Sequence, residues 1–123
     1  MATRSTIWIK NKDNYEGIYC HFDGYTYGLG RTLFENYNTE EKVRELISQG
    51  DASYIENTIE TSRFYHTWRG EDLHIYKSSH PVMMKYCFEE YNYLFDNGEW
   101  YLMLKNKNKL LKEILKDKEW KKF

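Results

Sequence analysis

Between the apolar-aromatic runs 91–96 and 99–104 stands the dipeptide Asn97-Gly98. Both central positions of a type I′ turn need positive φ, which glycine adopts freely and asparagine tolerates, so this dipeptide predicts a two-residue β-hairpin. The register follows from the turn. Phe95 falls opposite Trp100, Tyr93 opposite Leu102 and Tyr91 opposite Leu104, with all six side chains on one face, the expected core. The other face carries Asn92, Leu94, Tyr101 and Met103, a mixture suited either to solvent or to a contact surface.

A second hairpin is expected near the N-terminus. Residues 6–10 form a short run, β-branched or aromatic up to Ile9 and closed by Lys10, residues 11–16 are polar and turn-like, and a strand follows over 17–22. Alternation places Ile18, Cys20 and Phe22 on a core face and Tyr19, His21 and Asp23 on the other. Residues 31–37 and 39–49 read as helices. Thr39 is the expected N-cap of the second, Glu40 and Glu41 suit its first turn, Val43, Leu46 and Ile47 form its apolar stripe, and Gly50 stops it. Residues 51–81 lack a sustained period and predict short strands and loop, with Pro81 marking a boundary. Residues 82–90 fit helix or strand equally. Residues 106–123 predict a basic amphipathic helix, with Leu110, Leu111, Ile114 and Leu115 as its stripe, docked on the body or on a second copy. The sum is one α+β domain over residues 1–123, an antiparallel sheet of two hairpins with packed helices.

Aromatic residues make up 18% of the chain, with 12 tyrosines, so rings must build both the core and any adhesive surface. A net charge of −1 argues against general nucleic-acid binding. From Lys105 onward eight lysines face three acids, which polarises the chain from an acidic body to a basic tail. Cys20 and Cys87 each lie in an apolar run and read as buried thiols, and nothing resembles a leader or a membrane span, so a cytosolic setting is expected, with no membrane partner.

Functional side chains concentrate in residues 19–30, where tyrosines, a histidine, a carboxylate and three glycines occupy a sharp turn between a strand and a helix. Gly28-Leu29-Gly30-Arg31 before a helix resembles the layout that offers backbone amides and an arginine fork to an anion, although it matches neither a P-loop nor a dinucleotide fingerprint. Arg4, between two hydroxyl residues, is a further candidate for the same anion. His21 and Asp23, two apart on one strand face, have the spacing for acid–base chemistry or for a metal completed by His66, His74 or His80. The simpler account has His21 hydrogen-bonded to the loop and Asp23 capping the turn, with no metal and no cofactor. Tyr65-His66-Thr67-Trp68-Arg69 is an aromatic and basic cluster that either stacks on a partner or folds over the core.

The opening Thr3-Arg4-Ser5-x-Ile7, then Gly17-Ile18-Tyr19-Cys20-His21-Phe22-Asp23-Gly24-Tyr25, Gly28, Gly30, Leu33 and Tyr37 resemble a family of small phage and prophage accessory proteins without an assigned activity. The likeness continues through Glu41-Lys42-Val43, Leu46-Ile47 and Gly50-Asp51, and returns in Tyr93-Leu94-Phe95 and Glu99-Trp100-Tyr101; residues 52–86 and the basic tail do not share it. It implies a phage protein that counters defence in the host cytoplasm. The leading expectation is a non-catalytic, homo-oligomeric binding protein. It would sequester a nucleotide-like or other anionic ligand, such as an immune signalling nucleotide, through Arg4, Tyr19, His21, Asp23, Tyr25, Tyr27, Gly30 and Arg31. The alternatives are an inhibitor that contacts a host defence protein, for example a CRISPR effector, through Tyr65, Trp68 and Arg69, and a small hydrolase using His21 and Asp23.

Overall fold

The computed structural model of the chain describes residues 3–79, 91–104 and 107–116; the expectations for Pro81, 82–90, Cys87 and 117–123 lie outside them. In order, the described elements are β1 (Ser5–Lys10), β2 (Tyr15–Cys20), a π-helical turn (Thr26–Gly30), α1 (Arg31–Asn36), α2 (Glu40–Ile47), β3 (Ala52–Tyr54), β4 (Arg63–Phe64), α3 (Tyr65–Arg69), β5 (Tyr76–Ser78), β6 (Tyr91–Asp96), β7 (Glu99–Met103), β8 (Asn108–Leu110) and α4 (Leu111–Lys116). The strands form one sheet in the order β4-β3-β2-β1-β6-β7-β8. β5 shares the outer edge of β2 with β3, pairing with residues 15–17 while β3 pairs at Cys20.

Both expected hairpins are present. β1 and β2 are antiparallel with Ile7 opposite Ile18, and β6 and β7 pair Phe95 with Trp100 and Tyr93 with Leu102. Asn97 and Gly98 have φ of 52° and 81°, as a type I′ turn needs. Leu104 lies just beyond the β7 ladder, yet it and Tyr91 still pack against the core.

The α+β class stands, but the sheet is mixed and not purely antiparallel. β1 runs parallel to β6, with Ile7 opposite Tyr93, and β2 runs parallel to β3. The chain between β1 and β6 makes the long crossover that a parallel pair requires. Strands at the centre of such a sheet are buried on both faces, which explains why the second face of the β6–β7 hairpin is not open. Leu94 and Met103 join Trp8 in a cluster there, flanked by Tyr15, Tyr76 and Tyr101. Beside it the Trp8 indole Nε1 donates to Thr6 Oγ1 at 2.8 Å, and the Thr6 hydroxyl donates to Asn92 Oδ1, so the buried polar groups of this face satisfy one another.

The opposite face is the main core. Ile7, Ile9, Ile18, Cys20, Tyr93, Phe95 and Leu102 meet Leu33 of α1, Val43, Leu46 and Ile47 of α2, and Leu111 and Ile114 of α4. Thr39 caps α2 by accepting from the Lys42 amide at 3.2 Å, and Gly50 follows it at φ 81°.

Three further expectations are corrected. Phe22 is 42% exposed, because β2 ends at Cys20 and the alternation ends with it; its ring packs edge-on against His21 at 4.5 Å. Residues 65–69, expected as loop or strand, form a short helix closed by Gly70 in the left-handed region. Residues 108–110, expected as helix, form a strand. Reciprocal backbone hydrogen bonds between Leu104 and Lys107 turn the chain back, and Leu110 pairs with Tyr101 on the free edge of β7. The helix begins only at Leu111 and docks on the body.

Gly17 stands opposite Trp8, and a Cβ there would lie 2.4 Å from the indole and 2.8 Å from the Ile7 carbonyl. We expect Gly17→Ala to destabilise the protein by about 1–3 kcal/mol, the usual cost of overpacking, as measured by urea denaturation.

Candidate functional site

The segment after β2 is folded by its own backbone. Asp23 adopts φ 59°, and its carbonyl accepts from the Leu29 amide at 2.8 Å. The Tyr25 carbonyl accepts from Gly28 at 2.9 Å and Gly30 at 3.4 Å, and the Arg31 amide reaches back to Thr26. Thr26 and Leu29 point inward and are buried, which turns Tyr25 and Tyr27 outward with 41% and 40% of their surface exposed. Gly24 is held by the Thr3 carbonyl at 2.9 Å, and its own carbonyl accepts from the Tyr93 hydroxyl at 2.6 Å. A Cβ on Gly30 would lie 3.2 Å from the Tyr93 ring and 3.3 Å from Leu111, so this glycine permits close packing beneath the turn.

Tyr27, Arg31 and Glu35 make a ridge. Arg31 Nε donates to Glu35 Oε2 at 3.2 Å, and the guanidinium carbon lies 5.1 Å from the centre of the Tyr27 ring. The ridge divides two hollows and lines both. On one side is an open groove of about 670 Å³, walled by Asp23, Tyr25 and Thr32 and across from them by residues 55–58 and Thr61. The far wall is fixed: Asn36 Nδ2 donates to Asn57 Oδ1 at 3.1 Å, the Tyr37 hydroxyl donates to the Glu56 carbonyl at 2.8 Å, and the Thr58 and Thr61 hydroxyls are 2.8 Å apart. On the other side is a hollow of about 260 Å³, bordered by Phe34, Lys112, Leu115 and Lys116.

The two hollows have opposite charge. The groove sets the carboxylates of Asp23, Glu35 and Glu56 against Arg31 alone, with hydroxyls and an amide around them. The smaller hollow sets Arg31, Lys112 and Lys116 against Glu35. Arg31 belongs to both. Glu35 engages its Nε, and the two terminal nitrogens of the fork have no partner among the described residues.

The structure therefore gathers Asp23, Tyr25, Tyr27 and Arg31 and separates the other four sequence candidates from them. The Gly30 amide is used inside the π turn and offers nothing to an anion. Arg4 lies outside both linings; its carbonyl accepts from the Tyr91 amide at 3.3 Å. Tyr19 and His21 also lie outside, and they join each other, with the Tyr19 hydroxyl 2.6 Å from His21 Nδ1. No hydrogen bond links His21 to Asp23 among the described residues. His66 meets the Glu71 carbonyl at 2.7 Å and His74 meets Asp51 Oδ2 at 3.0 Å, so neither converges on His21. Among the described residues no three His, Cys, Asp or Glu side chains are placed to share a metal ion, and no described helix is long and apolar enough to cross a membrane.

Tyr65, Trp68 and Arg69 do come together, on α3, and the cluster stands out from the body instead of folding over the core. Trp68 is 48% exposed. The Arg63 guanidinium sits 4.4 Å from the Trp68 ring centre and 5.5 Å from that of Tyr54, while Arg69 lies 4.8 Å from Tyr65 and 4.9 Å from Trp68. Arg69 is also ion-paired with Glu71. Sequence reasoning missed Arg63 and Tyr54, which the β3–β4 pairing supplies, and the groove wall 55–61. It also missed Phe34, Lys112 and Lys116; the i, i+4 spacing of the two lysines was the available signal for a shared helix face.

Cys20 is the one described thiol, and it is fully buried. Burial pushes it up to about 12, so it is a neutral thiol at physiological pH. Burial likewise raises the Tyr93 hydroxyl well above its usual value. Both groups ionise more readily in the unfolded chain, so they stabilise the fold fully below pH 9 and lose that contribution as pH climbs toward 12. In a Cys87→Ser background, urea denaturation at rising pH should show stability falling above pH 9, by up to about 1.4 kcal/mol per pH unit from Cys20 alone. Comparison with protein-family models, with curated proteins and with solved structures gives no match to this chain.

Proposed function

We propose that the chain is a non-catalytic binding protein whose ligand is nucleotide-like and lies across the Tyr27–Arg31–Glu35 ridge. The observation that carries this reading is the pair of hollows of opposite charge that share one arginine. A nucleotide is itself bipolar. Its sugar hydroxyls and base amino groups are donors, which the carboxylates of Asp23 and Glu56 and the oxygens of Asn57 and Thr58 accept. Its phosphate needs cations, and Arg31, Lys112 and Lys116 supply them on the far side of the ridge. The exposed rings of Tyr25 and Tyr27 offer faces on which a base stacks. The combined space is of the size that ordinary small-ligand sites use.

Binding without turnover agrees with the state of the histidine. His21 Nδ1 is engaged by Tyr19, and the His21 ring borders neither hollow, so the imidazole that a hydrolase would use stands apart from the proposed ligand. In the phage setting that the resemblance implies, such a protein withholds a signalling nucleotide from a defence system of the host.

Calorimetric titration with a panel of nucleotides, cyclic dinucleotides and ADP-ribose derivatives tests the reading. We expect one class to bind and to be recovered intact by heat release and chromatography. Arg31→Ala should weaken that binding at least tenfold, about 1.4 kcal/mol, with the thermal transition of the protein unchanged. Lys116→Ala should weaken it less and flatten its salt dependence. Unchanged affinity in Arg31→Ala would remove this site, and recovery of an altered ligand, abolished by His21→Ala, would make the protein a hydrolase.

A further inference from the structure

The Arg–aromatic stack on α3 has no role in the ligand reading, and its chemistry is the complement of the groove. It presents Trp68 and Tyr65 beside Arg63 and Arg69. Among the described residues Arg63 has ring partners and no carboxylate within ion-pair distance, and Arg69 shares its charge with Glu71 alone. The groove presents the exposed rings of Tyr25 and Tyr27 beside Asp23, Glu35 and Glu56, with Arg31, paired to Glu35 and set over Tyr27, as the one cation against three carboxylates. Rings flanked by arginine on one surface and rings flanked by carboxylates on another are the pairing that contact surfaces use for both anchoring and register.

We infer that the stack of one copy docks in the groove of a second copy, so that the ligand-free protein self-associates. The connectivity favours a closed pair over a chain of copies. The groove wall 55–61 and the stack belong to the single excursion that leaves β3 and returns through β4 into α3, so both patches are tied to one segment, and a two-fold pair in which each stack enters the other copy's groove leaves neither patch open. Every contact is then made twice, which brings two small patches toward the area that a specific interface needs. Nucleic acid is the less favoured occupant of the stack, because the cations there are few, one is already ion-paired, and the chain as a whole carries −1. The inference does not rest on the ligand reading. If both hold, ligand and second copy compete for the carboxylates of the groove, and ligand binding releases the pair.

Charge exchange between the two surfaces tests it on the full chain without any ligand. One variant carries Arg63→Glu and Arg69→Glu, and the other carries Glu35→Arg and Glu56→Arg, all four being exposed residues. Sedimentation equilibrium of the unaltered protein, over a series reaching about 1 mM, should show a dimer that weakens between about 0.05 M and about 0.5 M salt. Each variant alone should sediment as a monomer with an unchanged thermal transition. An equimolar mixture of the two should associate again, because in the mixed pair one interface keeps both native charge sets and the other has both reversed. A monomeric unaltered protein at all concentrations, variants that dimerise as well as the parent, or a mixture that stays monomeric would each overturn the inference, and Trp68→Ala that dimerises normally would do the same.

Discussion

The burial of β1 on both of its faces is the constraint from which the rest of the architecture follows. Ile7 and Ile9 face the helices while Trp8 faces away, and all three are sealed from water. A strand in that condition needs a hydrogen-bonded neighbour on each edge and a packed layer above and below. β2 supplies one edge by the shortest route, and its Gly17 leaves room for the indole. The other edge is supplied by β6, which arrives from far along the sequence and runs parallel. Asn92 on β6 closes the polar chain from Trp8 through Thr6, so the docking of β6 is specified by a buried hydrogen bond as well as by apolar contact.

That centre also places the proposed ligand site. Tyr93 follows Asn92 on the opposite face of β6, and its hydroxyl holds the Gly24 carbonyl while its ring lies beneath Gly30. The π turn is thereby clamped at both ends onto the sheet. Its two outward tyrosines and the first residue of α1 then have no freedom to be elsewhere. Trp100 performs the same service for the far wall, because its Nε1 holds the Tyr37 carbonyl at 2.7 Å and the Tyr37 hydroxyl holds Glu56. Tyr93 and Trp100, both on one hairpin, thus fix both sides of the groove. Tyrosine and tryptophan are suited to this, since each brings a large apolar body with a donor at its tip.

Much of the local structure was legible in the sequence because its causes are local. Asn97-Gly98 announces a turn through the φ values that it permits, and Thr39 announces a helix through the hydroxyl that it offers to an amide three residues on. The parallel pairing of β1 and β6 was not legible, since hydrogen-bonded strands so far apart leave no mark in either segment. Leu110 shows how a local signal misleads: its apolar neighbours suit a helix, but the open edge of β7 takes it as a strand. The site was half legible for the same reason. Tyr25, Tyr27 and Arg31 are close in sequence and stayed together, whereas Lys112 and Lys116 reach Arg31 only through the docking of α4. Gly30 was misread because a glycine before a helix serves an exposed anion cradle and a tight packing contact equally well.

The hydrogen bond between Thr6 and Asn92 spans 86 positions of sequence, and it has a consequence for how the protein comes into being. During synthesis β1 and β2 leave the ribosome well before β6 and can form their hairpin at once, but the second edge of β1 and much of the shelter of Trp8 are not made until β6 emerges. Contacts of such long range slow folding, because the loop they close must be ordered before they contribute. Until β6 emerges the nascent chain therefore exposes an unpaired strand edge beside a half-sheltered indole, the kind of surface that chaperones recognise. A protein made in bulk in a crowded cell would depend on quick completion by β6, and the self-starting turn at Asn97-Gly98 provides it by bringing β7 onto β6 within a few residues of synthesis.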